Sequence, residues 1–499
     1  MNSHRFLNIL HACMMVMPWF YGYSQADSFP ARHATIDIST AIPQDVRLPN
    51  GQTVKVELLS YQESRDPLRN AVRSTDISLK IDGTNLKFKA EPYSLPQKVG
   101  SYWIDCPVSL GYLENSTSDH WAMTKGSAVR LRIWPDSSSF SPEPFVYPVR
   151  QKWFASGTQM ANEPTYVDGG EDSRRKQVYY HSGLDIGGPE GLAEVVAATD
   201  GTIVSLGNVI LNDLEKDHPV AKRYDVIYLR DSRGWYYRYS HLQQFNPELK
   251  LGQNVKKGQF LGILGKEGGS GGWAHLHFEI KSRQPSGKYG TEEGYAFLWE
   301  AAQNRPHTNI LAVARPHRLV RIGDEVVLDA QKSWSRSGAL QYEWLLSDGR
   351  KETIPNPKIR YKQAGHYSEV LKVTDSDGNE SYDFAVTQVL DDKNPDQLPP
   401  SIQTAYWPSL GVKTSTPVTF LTRTFRTTDG EEVWDFGDGT PTVKVLSDGT
   451  VKTLAPDGFA ATVHRFAKPG HYVVKVSRTN GRGEKATAHL HVHVEESLR

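Results

Sequence analysis

The chain has 499 residues and balances 57 basic against 57 acidic side chains. That length is too great for one ordinary hydrophobic core, so three or four domains are expected. The even charge leaves no electrostatic case for capture of nucleic acid or acidic lipid. Aromatics make up 10%, including 12 Trp and 23 Tyr, a composition that excludes a disordered chain and suits several β-rich globular domains.

Residues 1–26 read as an export signal. Arg5 gives a short basic start, Phe6 to Tyr23 is mostly apolar, and Ser24-Gln25-Ala26 places small residues where a signal peptidase cuts. The expectation is an exported protein, periplasmic or secreted, with cleavage after Ala26. Leu10-His11-Ala12-Cys13 resembles a lipoprotein box, but its apolar run is short, so lipid anchoring is the lesser reading. No later stretch approaches the roughly 20 apolar residues that span a bilayer. Cys13 and Cys106 are the two cysteines, so cleavage leaves one thiol, and Cys106 reads as a small buried hydrophobe.

Residues 27–150 read as short strands: Val54 to Leu58 alternates, Ile77 to Phe88 is a hairpin around Asp82-Gly83, and Val129 to Ile133 alternates again. The expected fold is a β-sandwich. Residues 151–305 change to glycine-punctuated hairpins. One is expected from Val195–Ala198 to Thr202–Leu206 through Asp200-Gly201, and another from Asp225–Arg230 to Trp235–Leu242. A short helix is expected over Tyr295–Gln303. Residues 306–392 and 401–499 form an approximate repeat: Trp344 precedes Gly365-His366-Tyr367 as Trp434 precedes Gly470-His471-Tyr472. The polar, Pro-rich segment 393–400 reads as a semi-rigid linker. Trp434-Asp435-Phe436-Gly437-Asp438-Gly439 resembles the signature of PKD domains, which are Ig-like β-sandwiches. The first copy keeps only Trp344 and Ser347-Asp348-Gly349 of it. Both Trp are expected in the cores. The fold class is therefore mainly β and multidomain.

Chemistry concentrates in three places. In Ala274-His275-Leu276-His277-Phe278-Glu279-Ile280 a period of two puts His275, His277 and Glu279 on one face, and Leu276, Phe278 and Ile280 on the other. His181-Ser182-Gly183-Leu184-Asp185 adds an imidazole and a carboxylate, and Tyr239-Ser240-His241-Leu242 ends a strand in a histidine. His489-Leu490-His491-Val492-His493 repeats the alternating pattern without a carboxylate partner and reads as a solvated strand face.

In this order, His181-x-x-x-Asp185, Ser240-His241-Leu242 and His275-Leu276-His277 resemble the three motifs of lysostaphin-type peptidoglycan endopeptidases. The resemblance covers residues from about 180 to 283. It implies one zinc ion held by His181, Asp185 and His277, with His241 and His275 as catalytic histidines and a zinc-bound water as the attacking group. It also implies an upstream tyrosine near the transition state, for which Tyr166, Tyr179 and Tyr180 are candidates. The chain departs from the family at Trp273-Ala274, in place of a Gly-Pro step, and in a polar insertion over 208–223.

The implied substrate is the peptide cross-link of bacterial peptidoglycan. Alternatives are a secreted peptidase acting on glycine-rich extracellular protein, and a non-catalytic adhesion or scaffold protein. Gly268-Gly269-Ser270-Gly271-Gly272 formally matches a serine-hydrolase elbow, but a strand rather than a helix follows it, so it reads as a loop. The repeats read as binding or spacer modules. A chain ending near Arg305 is accordingly expected to cleave a small soluble peptide as fast as the full chain.

Overall fold

The computed structural model describes residues 32–40, 42–114, 116, 119–158, 160, 178–394, 397–448 and 458–496. The export segment, Cys13, Tyr166 and the linker residues Pro395 and Asp396 lie outside the described residues. Among those described, no helix is long and apolar enough to cross a membrane.

Two four-stranded sheets form the N-terminal unit. One runs Ala34–Ile38, Val129–Pro135, Tyr102–Ser109, Gln97–Val99, and the other Gln44–Arg47, Thr53–Arg65, Val72–Ile81, Thr84–Ala90. Alternation along Thr53–Arg65 sends Val54, Val56 and Leu58 inward against Ile104, Leu131 and Ile133 of the facing sheet. The expected hairpin is present, with Ile77 opposite Phe88. Its turn has φ 44° at Asp82 and 86° at Gly83, the two positive angles that suit the twist of a two-residue hairpin. Cys106 is buried and free.

The next unit is built on an eight-stranded and a three-stranded sheet. Ile227–Arg230 and Tyr236–Ser240 pair as expected, and the helix occupies Tyr295–Gln303, burying Phe297, Leu298 and Trp299. The other expected hairpin does not form. Glu194–Val196 pairs with Phe260–Leu264 in the smaller sheet, whereas Gly201–Leu206 pairs with Ile227–Arg230 in the larger one. Val195, Val196, Ala197 and Ala198 are all buried, and a run that is apolar on both faces carries no sign of its partner.

Trp344 and Trp434 are fully buried, each in its own core cluster. The two repeats are nevertheless joined. Gly365–Asp375 of the first pairs in parallel with Lys485–Val494 of the second, Gly365 opposite Lys485 and His366 opposite Ala486, making one nine-stranded sheet. This overturns the solvated reading of His489-Leu490-His491-Val492-His493. His493 is exposed, but His491 is buried, stacking on Tyr382 at 4.3 Å, and His489 bonds through Nδ1 to Ser368 Oγ at 3.0 Å. The preceding repeat covers what would be the wet face.

A pH dependence follows from this junction. Burial pulls His366 down to about 4, and burial with the Lys152 charge holds His491 well below its ordinary value. The folded state therefore resists protonation that the unfolded chain accepts near pH 6.5. The contribution to stability is complete above about pH 6.5 and is lost as pH falls toward 4, at up to about 1.4 kcal/mol per pH unit per histidine. Urea unfolding of the chelator-treated full chain at pH 7.5 and 5.0 should show that loss, and His491→Gln should reduce it while His366 keeps its share. Equal stability of the wild type at the two pH values would refute the assignment.

Candidate metal and peptidase site

Three strands carry the site. Leu184–Gly187 and His275–Arg283 are antiparallel neighbours in which Asp185 lies directly opposite His277, and His277 is in turn opposite Ser240 at the end of Tyr236–Ser240. Leu276, Phe278 and Ile280 enter the core as expected, which turns His275 and His277 toward the cleft. Gly183 makes the approach possible: its φ is 132°, and a Cβ there would lie 3.0 Å from the Phe278 carbonyl and 3.3 Å from the His277 ring.

Around Asp185 Oδ1 the imidazoles converge. His277 Nδ1 lies at 3.0 Å, His181 Nε2 at 3.1 Å and His275 Nε2 at 3.4 Å, while His181 Nε2 and His277 Nδ1 are 3.0 Å apart. One potential ligand atom from each of His181, Asp185 and His277 falls within 4.8 Å of the others. Burial works against the Asp185 carboxylate, but the neighbouring His181 and His275 and hydrogen bonds from His181 and His277 outweigh it and hold the pKa well below the usual range. Burial takes His277 down to about 3. A permanent carboxylate beside a neutral imidazole, with a second imidazole completing the set, is a nitrogen and oxygen donor group that fits zinc with a position left open.

His241 sits where the chain leaves the larger sheet for the smaller: Tyr236–Ser240 ends before it and Leu242–Phe245 begins after it. Its φ of 68° is left-handed backbone that a histidine adopts at a cost of order 1–3 kcal/mol. The bend is held by its N–H donating to Asp225 Oδ2 at 2.9 Å. The Asp225 carboxylate also takes two bonds from Arg223, at 2.5 and 2.6 Å. The His241 ring is 4.6 Å from His275 and 6.0 Å from His277.

Backbone carbonyls choose the tautomers. His241 Nδ1 is 2.6 Å from the Glu267 carbonyl and His275 Nδ1 is 3.0 Å from the Trp273 carbonyl. A carbonyl only accepts, so each Nδ1 carries the proton and each Nε2 keeps a lone pair. Arg223 Nη2 also lies 3.3 Å from His241 Nδ1, but two donors cannot share that contact, and the guanidinium is committed to Asp225.

All five predicted residues line one cleft of about 220 Å³, with Tyr179, His120, Arg238, Glu279 and Lys281. Of the tyrosine candidates, Tyr179 is at the cleft. Tyr180 is buried, its hydroxyl accepting from the Val72 N–H at 2.7 Å. Ser270 is in the preceding loop, its hydroxyl donating to the Lys266 carbonyl, and a strand rather than a helix follows it. His120 reaches the rim from the N-terminal sandwich, its carbonyl accepting from Thr291 N–H at 2.8 Å. Sequence reading missed it because the residue is remote along the chain.

Arg238 and Lys281 could have been found, since they continue the alternation of Ser240 and His277 along the same two strands. They lie 3.4 and 3.3 Å from the Glu279 carboxylate, so two cations share one anion. Burial raises Glu279, but Lys281 and then Arg238 bring it down to about 2.

Residues 179–288 match Peptidase family M23, and residues 309–389 and 403–494 each match the PKD domain. Among solved structures the chain resembles a catalytic-domain variant of the prophage-encoded M23 protein EnpA from Enterococcus faecalis. The identity there is 19% and the TM-score 0.19, covering 30% of this chain and 91% of that one. It also resembles Csd3 of Helicobacter pylori at 15% identity and a TM-score of 0.21, covering 54% and 81%. No curated protein matches. The protein carries a peptidase family M23 metallopeptidase domain, with His181, Asp185 and His277 as candidate zinc ligands, followed by two PKD domains.

Proposed function

We propose that the protein is an exported zinc endopeptidase that hydrolyses peptide cross-links of bacterial peptidoglycan. The observation that carries this reading is the meeting of His181, Asp185, His241, His275 and His277 in one solvent-open cleft. A zinc ion there would supply Lewis acidity at the scissile carbonyl and a water acidified toward a pKa of about 7. His241 and His275 present Nε2 lone pairs to the cleft and are the groups that take a proton and return it to the leaving amine. Tyr179, which lines the same cleft, would donate to a developing oxyanion.

The unevenly compensated Arg238–Glu279–Lys281 group favours a substrate with a free carboxylate near the scissile bond, as cell-wall stem peptides have, over uncharged glycine-rich protein. Lys281→Met should raise KM about tenfold for a peptide with that carboxylate and hardly at all for its amide, the scale of one charge-assisted hydrogen bond. Equal KM changes on the two peptides would remove Lys281 from recognition.

Mass spectrometry of fragments released from purified cell wall, with elastin and gelatin run beside it, tests the substrate. Peptide fragments from cell wall alone are expected, and release from elastin alone would replace this reading with the extracellular-protein one.

A further inference from the structure

The loop that delivers His275 is held by the far end of the chain. Trp273 is 4% exposed and lies flat on Phe425, with ring centroids 4.9 Å apart and planes 8° from parallel. Phe425 ends the strand Val418–Phe425 of the second PKD domain. In the adjacent strand Ser401–Trp407, the Gln403 side chain receives the Ala274 N–H on Oε1 at 2.7 Å and donates from Nε2 to the Ala274 carbonyl at 2.8 Å. A single buried amide thus satisfies both main-chain groups of the residue before His275, as a neighbouring strand would. Arg423 Nη1 reaches the Gly272 carbonyl at 3.4 Å.

Three consecutive residues are therefore anchored to the C-terminal domain, and the middle one supplies the carbonyl that fixes the His275 ring. A flat aromatic stack resists tilting of the Trp273 peptide, and the paired amide resists sliding. Neither constraint comes from the peptidase domain itself.

We propose that the second PKD domain is a positioning element of the peptidase site, with Gln403 and Phe425 as positioning residues that aim His275 through the Trp273 carbonyl. This rests on the metallopeptidase reading but not on the choice of peptidoglycan as substrate. A displacement of a catalytic group by about 1 Å costs up to about a hundredfold in rate, so loosening the brace acts on kcat. Substrate and metal contacts lie on other residues, so KM and zinc content stay as they are.

The test uses the full chain as wild type, Gln403→Ala, Phe425→Ala and Phe425→Tyr. On a soluble peptide, Phe425→Ala and Gln403→Ala should lower kcat roughly tenfold to a hundredfold, with KM within about twofold and zinc content unchanged. Phe425→Tyr, which keeps the stacking face, should restore kcat. Hydrogen exchange of metal-free protein should speed up at least tenfold over residues 272–277 in both alanine variants and return to wild-type protection in Phe425→Tyr. Wild-type kcat and exchange in the alanine variants would overturn the proposal. So would a loss of activity that tracks lost zinc or lost folded protein. A wild type that cleaves no peptide would sink the peptidase reading, while the exchange measurement would still decide the brace.

Discussion

Replacing His277 with alanine should remove metal and peptidase activity together. His277 is the middle of the site in two senses: its Nδ1 faces both Asp185 Oδ1 and His181 Nε2 at 3.0 Å, and its strand pairs with Leu184–Gly187, which carries Asp185, and with Tyr236–Ser240, which ends just before His241. Because burial keeps the imidazole neutral down to about pH 3, metal binding at neutral pH releases no proton from it. The variant leaves one imidazole and one carboxylate, a set short of the three protein ligands that a catalytic zinc site needs. Its effect should match that of removing either other member of the His181, Asp185 and His277 set. Metal analysis of the purified protein decides the matter. A variant that retains one equivalent of zinc at wild-type affinity would refute the ligand assignment.

His241→Ala should behave differently, keeping its zinc and losing about 10²–10⁴ of turnover, the usual worth of general acid–base help. The ring is outside the trio of converging ligand atoms, yet its Nε2 side faces the cleft because Nδ1 is tied to the Glu267 carbonyl. Alanine also tolerates φ 68° poorly, so some stability falls with the activity. His241→Asn, which adopts left-handed backbone more readily, separates the two effects: it should fold like the wild type and remain as slow as the alanine variant. Near wild-type turnover of His241→Asn with zinc present would take His241 out of the mechanism.

The packing changes what should be expected of truncation. The view that a chain ending near Arg305 keeps full activity on a small peptide assumes that the repeats are separate from the catalytic unit. Gln403 and Phe425 contradict that assumption, because they hold the main chain just ahead of His275. Arg305 itself donates to the Gln151 carbonyl at 2.6 Å, inside the same body. Such a chain would leave the Ala274 N–H and carbonyl without Gln403, and Trp273 without its stacking partner.

Much of the site was legible in the sequence, because each of its motifs is local. A period of two along Ala274 to Ile280 separates core residues from cleft residues whatever the strand pairs with. The spacing of His181 and Asp185 across Gly183 likewise needs no tertiary information. The short helix and the Asp82-Gly83 turn were readable for the same reason, being set by residues next to one another. Partnership was not readable. Val195 to Ala198 is buried on both faces, so nothing in it distinguished a hairpin with Thr202–Leu206 from pairing with Phe260–Leu264. His489 and His491 looked like a wet strand face because the repeat that covers them lies some hundred residues upstream. His120, Gln403 and Phe425 reach the site from other domains through long-range contacts that leave no pattern along the chain. The sequence by itself determined which side chains are turned toward the cleft, through local alternation and spacing. Only the tertiary structure decided what holds them, because a carbonyl, a buried amide or a flat aromatic ring becomes a constraint on His275 only once the folded chain brings it there.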